Sequence, residues 1–323
     1  MIDNLTADVK LNLYNRKTGA FKMGKSPRQA LNEMCKIHDS RMQMIPAHDG
    51  ASIRVAGFAP HPRPAKLAGV IQIVHGFGES MGHYGDVVDF FVGNGYACVI
   101  HDQRGFGEMP DKTPKERRAA RGVIPSYDHL LEDVKTVRGQ IGLWYPGVPV
   151  ILFGHSMGGG VAANYLLRYP SEDYEKAILE APWFRLYKPL SPVLDILAKI
   201  LGKISPKIVT RAKLDADDLS REQTAAHGQT GDDVFHNRMS IRLYAGAVAA
   251  GAYALEHADR IPIPTLVLGA GADKILSTAA IRGFAERAGE HVTYMEYPDA
   301  YHCIHRDTAG AQALADVLEF LKE

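Results

Sequence analysis

The stretch that decides the fold is residues 150–160, which read V-I-L-F-G-H-S-M-G-G-G. Four apolar residues enter a small-residue turn centred on Ser156, with Gly154 and Gly158 at the spacing G-x-S-x-G. The apolar run predicts a buried strand, and the residues after the turn predict a helix that starts near Met157. A turn this sharp strains the serine backbone and leaves no room for a neighbouring Cβ, which explains the glycines. The hydroxyl of Ser156 would then stand at the carboxyl end of a sheet, beside a helix N-terminus.

Strand and helix patterns alternate on both sides of this turn. Buried-strand runs at residues 69–75 and 96–101 both end in glycine-rich turns, and a helical stretch at 81–92 lies between them. This arrangement predicts a βαβ unit. Further strand patterns follow at residues 264–269 and 291–297. We therefore expect an α/β protein with a mostly parallel central sheet and helices on both faces.

The alternation lapses after Pro182 and resumes at Pro264, and the interval between them is helical in pattern. We expect three parts: an N-terminal arm (1–44), a core (45–181 and 262–323) and a helical cap inserted into the core (182–261). A chain of 323 residues suits one large α/β domain that carries such an insertion. In the arm, Ser26 and Pro27 predict the start of a short helix.

Composition and charge argue against several classes of protein. Lys plus Arg and Asp plus Glu both number 37, so the net charge gives no reason to expect a nucleic-acid partner. The cysteines Cys35, Cys98 and Cys303 lie far apart, which predicts a reducing compartment and no zinc site. The first residues lack the pattern of a signal peptide, and no stretch approaches the apolar length of a membrane span. We therefore expect a cytoplasmic protein.

Three residues suggest a catalytic constellation. A serine hydroxyl needs a base to attack at neutral pH, and the base needs an orienting carboxylate. Asp273 and His302 follow the last two predicted strands, and loops after parallel strands meet at the carboxyl edge of a sheet. We expect Ser156 as nucleophile, His302 as base and Asp273 as orienting acid. Asp299 is the rival acid, but it lies on the loop of the histidine, too close in sequence to approach the ring from behind.

These motifs together resemble an α/β hydrolase of the monoacylglycerol lipase and lysophospholipase type. The matching pieces are H-G-F-G-E-S with Tyr84, D-Q-R-G-F-G, G-H-S-M-G-G, the aspartate of G-A-D and the histidine of A-Y-H. They extend from about Val70 to the C-terminus. The resemblance implies the α/β-hydrolase fold, the Ser-Asp-His triad and ester hydrolysis.

Two backbone N–H groups are expected to form an oxyanion hole. Geometry predicts one donor on Met157, the residue after the nucleophile, and the resemblance implies the other on Phe77, after the first H-G. The sequence also departs from the family pattern. Ser80 replaces the usual histidine, His83 stands where arginine is usual, and Met109 occupies a position where a small residue is common.

Residues 192–209 of the cap carry two sets of side chains at helical spacing: an apolar row of Val193, Leu197, Ile200, Ile204 and Ile208, and a row of Lys199, Lys203 and Lys207. Our main expectation is a helix that lays its apolar row over the active site. The second is a lid that also touches a membrane surface, where apolar burial and attraction between lysine and phosphate add. Either arrangement suits a substrate with a hydrocarbon tail.

We therefore expect a serine hydrolase of carboxylic esters, with a monoacylglycerol or lysophospholipid as substrate and an acyl-enzyme intermediate. The same triad serves amide cleavage and acyl transfer, so a serine aminopeptidase, an acyltransferase and a small-ester carboxylesterase stay open. A ligand receptor on this fold is disfavoured, because a receptor needs no aligned base. No motif indicates a metal, nucleotide or flavin, so we expect no cofactor.

Overall fold

The structure is a computed structural model that describes residues 26–169, 174–205, 208–230 and 234–323. Its strands are β1 (Asp39–Pro46), β2 (Ser52–Ala59), β3 (Val70–Val74), β4 (Ala97–His101), β5 (Val150–His155), β6 (Lys176–Glu180), β7 (Val209–Arg211), β8 (Arg238–Ser240), β9 (Thr265–Ala270) and β10 (Val292–Tyr297). Its α-helices are α1 (Pro27–Ile37), α2 (Gly85–Gly93), α3 (Pro114–Ala120), α4 (Asp128–Trp144), α5 (Met157–Arg168), α6 (Pro192–Ile204), α7 (Gln223–Thr230), α8 (Ile241–Glu256), α9 (Thr278–Ala288) and α10 (Gly310–Lys322).

The strands form one large sheet in the order β1-β2-β4-β3-β5-β6-β9-β10. Each neighbouring pair from β4 to β10 is parallel, whereas β2 pairs antiparallel with both β1 and β4. The apolar strands β3, β4, β5 and β9 are buried along their whole length. The predicted mostly parallel sheet is therefore confirmed. The strands β1 and β2 form an antiparallel edge beside β4.

Helices cover both faces of the sheet, as predicted. On one face, buried residues of α4, α5, α8 and α9 share an apolar core with the sheet. On the other face, α1, α2 and α10 pack in the same way. The loops at the carboxyl ends of the parallel strands lie along one edge of the sheet, and they carry the candidate functional residues.

The core begins nearer to the N-terminus than the sequence indicated. The side chain of Ser26 accepts a hydrogen bond from the N–H of Gln29, and the side chain of Gln29 accepts one from the N–H of Ser26. This capping box starts α1, as expected. However, β1 starts at Asp39, so the expected arm of residues 1–44 includes most of a core strand. Residues 1–25 lie outside the described part of the chain.

The interval between β6 and β9 contains α6, β7, α7, β8 and α8. Its last helix, α8, belongs to the core: Leu243, Ala247, Ala250 and Ala254 are buried in the same apolar cluster as the sheet. The amide of Asn164 on α5 also donates a hydrogen bond of 3.0 Å to the carbonyl of Ala250. The segment that projects beyond the core therefore ends near the start of α8, before residue 261.

Helix α6 differs from our main expectation. It ends at Ile204, and β7 follows it. The side of α6 with Gly202 packs on α8, where a Cβ on this glycine would lie 3.4 Å from the Cα of Arg242. The apolar row points outward instead of covering the triad: Val193 is 75% exposed and Ile204 is 72% exposed. Lys203 is exposed as well, while Lys207 and the side chain of Lys199 lie outside the described residues.

Candidate active site

Ser156 occupies a strained turn between β5 and α5, as the sequence predicted. Its dihedrals are φ 55° and ψ −119°, a left-handed conformation that is rare for a residue with a side chain. A Cβ on Gly154 would lie 2.5 Å from the carbonyl oxygen of Gly158, and one on Gly158 would lie 2.0 Å from that of Val74. Both glycines are therefore required by close backbone approach.

The structure brings the three predicted catalytic residues together. The Nε2 atom of His302 lies 2.8 Å from the Oγ atom of Ser156, and its Nδ1 atom lies 2.7 Å from Oδ2 of Asp273. All three side chains are buried, and Ser156 is 7% exposed. Hydroxyl, imidazole and carboxylate thus form one continuous hydrogen-bonded chain.

Asp273 is fixed independently of the histidine. Its Oδ1 atom accepts hydrogen bonds from the backbone N–H groups of Ile275 at 2.7 Å and Leu276 at 2.9 Å. These two bonds direct the other oxygen towards His302. The rival acid, Asp299, is exposed on the loop after β10. The structure therefore places Asp273, and not Asp299, against the imidazole.

The loop after β3 carries the expected second oxyanion donor, Phe77, and is held by buried polar contacts. The carboxylate of Glu79 accepts hydrogen bonds from the N–H of Gly76 at 2.6 Å and from the hydroxyl of Tyr84 at 2.7 Å. Met157 provides the first N–H group of α5, where helix N–H groups lack intrahelical partners. The two expected donors therefore lie on a braced loop and at a helix N-terminus.

Buried histidines keep Glu79 ionised. Burial by itself would raise the pKa of this carboxyl, but His155, His83 and His305, together with the Tyr84 hydroxyl, outweigh it and lower the pKa to about 2. Burial, reinforced by the neighbouring Glu79 charge, raises the pKa of Tyr84 well above its ordinary value. Tyr84 therefore remains a hydrogen-bond donor to a carboxylate at neutral pH.

Two of the departures from the family pattern compensate each other. The Nδ1 atom of His83 lies 3.0 Å from the backbone nitrogen of Ser80 and 2.9 Å from its Oγ atom. Both residues are buried, so the pair closes the turn at the end of the Phe77 loop. Met109 has a φ of 46°, which explains why a residue with a smaller side chain is common there.

Two buried residues behind the triad, Glu180 and His305, were not found from the sequence. Glu180 ends β6, and its Oε1 atom lies 2.7 Å from Nδ1 of His305 and 3.3 Å from Nδ1 of His155. The only signal was a glutamate that closes an otherwise apolar strand, K-A-I-L-E. His155, which immediately precedes the serine, is buried at 1% exposure, and its Nε2 atom lies 3.5 Å from the sulfur of Cys303.

Among the described residues, three groups bring His, Cys, Asp or Glu ligand atoms within 4.8 Å of one another. Two contain His155 and lie behind the triad, and the third is His48, Asp49 and His129. In the third group, both oxygens of Asp49 accept hydrogen bonds from Arg104. In the two buried groups, Nδ1 of His305 lies 2.7 Å from Oε1 of Glu180, and Nε2 of His155 lies 3.5 Å from the sulfur of Cys303. That catalysis needs no metal or other cofactor stays a prediction.

The fold and the site together define a class of protein. A mostly parallel sheet carries a serine on a strained strand-to-helix turn, and an acid and a histidine follow later strands in that order. This chain order and geometry are those of α/β hydrolases that use a serine nucleophile.

Comparison with known proteins identifies the family. A family described as "Serine aminopeptidase, S33" matches residues 65–309. The chain is 30% identical over 255 residues to a monoacylglycerol lipase of Mycolicibacterium smegmatis. This match covers 78% of this chain and 88% of that protein. The chain is 27% identical over 240 residues to phospholipase YtpA of Bacillus subtilis, spanning 74% of this chain and 89% of that one. The chain belongs to this family of α/β hydrolases.

A solved structure gives the same result. The crystal structure of Paleococcus ferrophilus monoacylglycerol lipase matches with a TM-score of 0.74 at 27% identity, covering 84% of this chain and 98% of that chain. The protein is therefore a carboxylic ester hydrolase of the monoacylglycerol lipase type. Within the described ranges, no helix has the length and apolar character needed to cross a membrane.

Proposed function

We propose that this protein hydrolyses the ester bond of a monoacyl lipid, a monoacylglycerol or a lysophospholipid, with Ser156 as the nucleophile. The observation that carries the proposal is the hydrogen-bonded chain from Ser156 through His302 to Asp273, with contacts of 2.8 and 2.7 Å. The names of the relatives, a monoacylglycerol lipase and a phospholipase, support a lipid ester.

The geometry supports two acyl-transfer steps. The Oγ atom of Ser156 attacks the ester carbonyl carbon while Nε2 of His302 accepts its proton. The N–H groups of Phe77 and Met157 stabilise the oxyanion, and one such donor contributes about 3–4 kcal/mol in a comparable site. When the C–O bond breaks, His302 donates the proton to the leaving alcohol. Water then attacks the acyl-enzyme and its proton passes to His302. When the bond between the acyl carbon and Oγ breaks, His302 returns this proton to Oγ of Ser156 and the fatty acid is released.

Asp273 orients the imidazole throughout this cycle. Its contact with Nδ1 keeps the proton on that nitrogen and leaves Nε2 free to accept one from Ser156. The backbone bonds from Ile275 and Leu276 hold the carboxylate in place. Its charge stabilises the imidazolium that forms while the tetrahedral intermediate exists.

The covered position of Ser156 supports a cap that regulates access. The serine is 7% exposed, and the N–H of Cys303 donates a hydrogen bond of 2.8 Å to the carbonyl of Leu219 in the cap. The ring of His236, also from the cap, stacks on Phe106 at 5.0 Å between centroids. We propose that residues 182–240 form the cap and that they move to admit an acyl chain.

The outer surface of α6 supports a second part of the proposal, contact with a lipid surface. Apolar side chains between 42% and 75% exposed form a patch on and beside this helix: Tyr187, Leu190, Val193, Leu194, Ile196, Leu197, Ile200, Ile204 and Ile208. Exposed Arg185, Lys188 and Lys203 lie along the same segment. Apolar patches of this kind mark interaction sites, and neighbouring cations attract lipid phosphates. We propose peripheral binding on the cytoplasmic side of a membrane, since the free cysteines suit a reducing compartment.

Active-site labelling combined with a substrate panel tests the reaction. A fluorophosphonate probe should modify Ser156 in the native protein, and Ser156→Ala should abolish both labelling and hydrolysis. Ser52→Ala, which changes an exposed serine at the start of β2, is the control and should retain both. The panel contains monoacylglycerols, lysophospholipids, p-nitrophenyl esters and aminoacyl amides. Faster cleavage of the amides than of any ester, or labelling away from Ser156, would contradict the proposal.

A further inference from the structure

A group of buried titratable side chains lies directly behind the triad and takes no part in the mechanism above. We call it the rear cluster, and it consists of Glu79, His155, Glu180, Cys303 and His305, each no more than 2% exposed. It is close to the reacting groups, because the ring centroid of His155 lies 5.1 Å from that of His302. His155 also immediately precedes Ser156 in β5.

Glu180 connects the two halves of the catalytic site. Its backbone carbonyl accepts a hydrogen bond of 2.9 Å from the N–H of Ser156. Its side-chain Oε1 atom accepts a bond of 3.2 Å from the backbone N–H of His305 and lies 2.7 Å from Nδ1 of the same residue. One residue of β6 therefore fixes both the turn that carries the nucleophile and the loop that carries His302.

The carboxylate of Glu180 is ionised at neutral pH. Burial by itself would raise the pKa of Glu180, but His305 and His155 outweigh it and lower the pKa. Glu180 therefore acts as an acceptor towards His305. Its Oε1 atom also lies 3.3 Å from Nδ1 of His155.

We propose that Glu180 is a positioning residue for the reaction proposed above. Its backbone carbonyl holds the turn that carries Ser156, and its carboxylate holds the loop that carries His302. The proposal rests on the proposed function, since it assigns Glu180 to the same site.

The test compares Glu180→Gln with the unchanged enzyme and with a control at another buried polar side chain, His101→Gln. His101 is a buried histidine at the end of β4, and neither of its ring nitrogens has a hydrogen-bond partner among the described residues. Burial lowers its pKa to about 3, so it carries no charge at neutral pH. Hydrolysis of a soluble short-chain ester is measured at neutral pH. Each rate is divided by the number of sites that a fluorophosphonate titrates, which removes effects of partial unfolding.

Glu180→Gln should lower kcat per titrated site by about tenfold with little change in KM, as misplaced reacting groups do. His101→Gln should change neither quantity.

A per-site kcat in Glu180→Gln equal to that of the unchanged enzyme would overturn the proposal. If Glu180→Gln yields no folded protein, Glu180→Asp decides, because its shorter side chain withdraws the carboxylate from Nδ1 of His305 and should cause the same loss of per-site kcat. Failure of the proposed function looks different: the unchanged enzyme itself would then escape labelling at Ser156.

Discussion

The loops around Ser156 bury charged side chains, whereas the outer surface of α6 exposes apolar ones. Behind Ser156, carboxylates and imidazoles such as Glu180 and His155 are 1% exposed. On α6, Val193 and Ile204 are more than 70% exposed. Folding alone favours neither arrangement, because buried charges lose hydration and exposed apolar groups gain nothing from the hydrophobic effect.

The difference lies in how each departure is compensated. Each buried charge around Ser156 has a partner within the protein, so the loops there are held in one geometry. The apolar row of α6 has no such compensation within the described residues, and its partner has to come from outside. The first region is therefore built for precise chemistry and the second for contact with a substrate or a lipid surface. Four measurements can break or sharpen this contrast.

The largest effect is expected at the orienting acid. Asp273→Asn should lower kcat by about 10⁴-fold, as the equivalent change does in another triad enzyme, because the imidazole adopts the wrong tautomer. Asp299→Asn is the matched control, since this carboxylate is exposed and does not contact the ring. Steady-state kinetics with a short ester measure both. A larger loss in Asp299→Asn would show that the two carboxylates have been assigned the wrong way round.

The next effect concerns the rigidity of the Ser156 turn. Gly158→Ala would place a Cβ 2.0 Å from the carbonyl oxygen of Val74, so β3 and α5 would have to separate. We expect a loss of stability of about 3 kcal/mol or more, typical of overpacking in a core. Gly139→Ala on α4 is the control, because nothing lies within 4 Å of its Cβ position. It should raise stability by up to about 1 kcal/mol. Urea unfolding of both variants decides, and equal stabilities would show that the turn adapts.

The buried carboxylate Glu79 predicts a pH dependence of stability. Its folded pKa of about 2 lies below the ordinary value of 4.5, so it stabilises the fold above pH 4.5, and this contribution is lost as the pH falls towards 2. The full contribution is about 3 kcal/mol. The urea midpoint of the unchanged protein should therefore fall more steeply below pH 4.5 than that of Glu79→Gln. Glu256→Gln, at an exposed position, should behave like the unchanged protein; parallel curves for Glu79→Gln would refute the prediction.

The smallest effect is expected on the cap. Leu197→Ser combined with Ile200→Ser should weaken binding to vesicles that contain anionic lipid by about tenfold, because two half-exposed apolar side chains can no longer enter the bilayer. Leu143→Ser, at a residue 78% exposed on α4, is the control and should not change vesicle binding. Hydrolysis of a soluble acetate ester should stay constant in both. Unchanged vesicle binding in the cap variant would leave the acyl chain of the substrate as the partner of α6.

The sequence was sufficient for the sheet and for the triad because both depend on order along the chain. Ser156, Asp273 and His302 each follow a strand pattern, and parallel strands bring the ends of such patterns to one edge. Glu180 and His305 could not be found in this way. Their contact depends on the register between β6 and the loop after β10, which no local pattern records.

The prediction that α6 turns its apolar row towards the active site was wrong for a related reason. Helical spacing shows which residues share a face, but not what that face meets. Here the small side of the helix, around Gly202, packs on α8 and leaves the Val, Leu and Ile side chains outside.

The position of α8 has a consequence for exchanging parts between relatives. The chain leaves the sheet at the carboxyl end of β6 and re-enters at the amino end of β9, its direct neighbour, where Ala177 pairs with Thr265. Helix α8 covers that distance on the sheet, and its buried residues belong to the core. A graft of residues 182–240 would therefore replace the surface that meets the substrate and keep the crossover that joins the two strands. A graft that continued to residue 261 would replace α8 as well as the cap, and with it the buried residues that pack on the sheet.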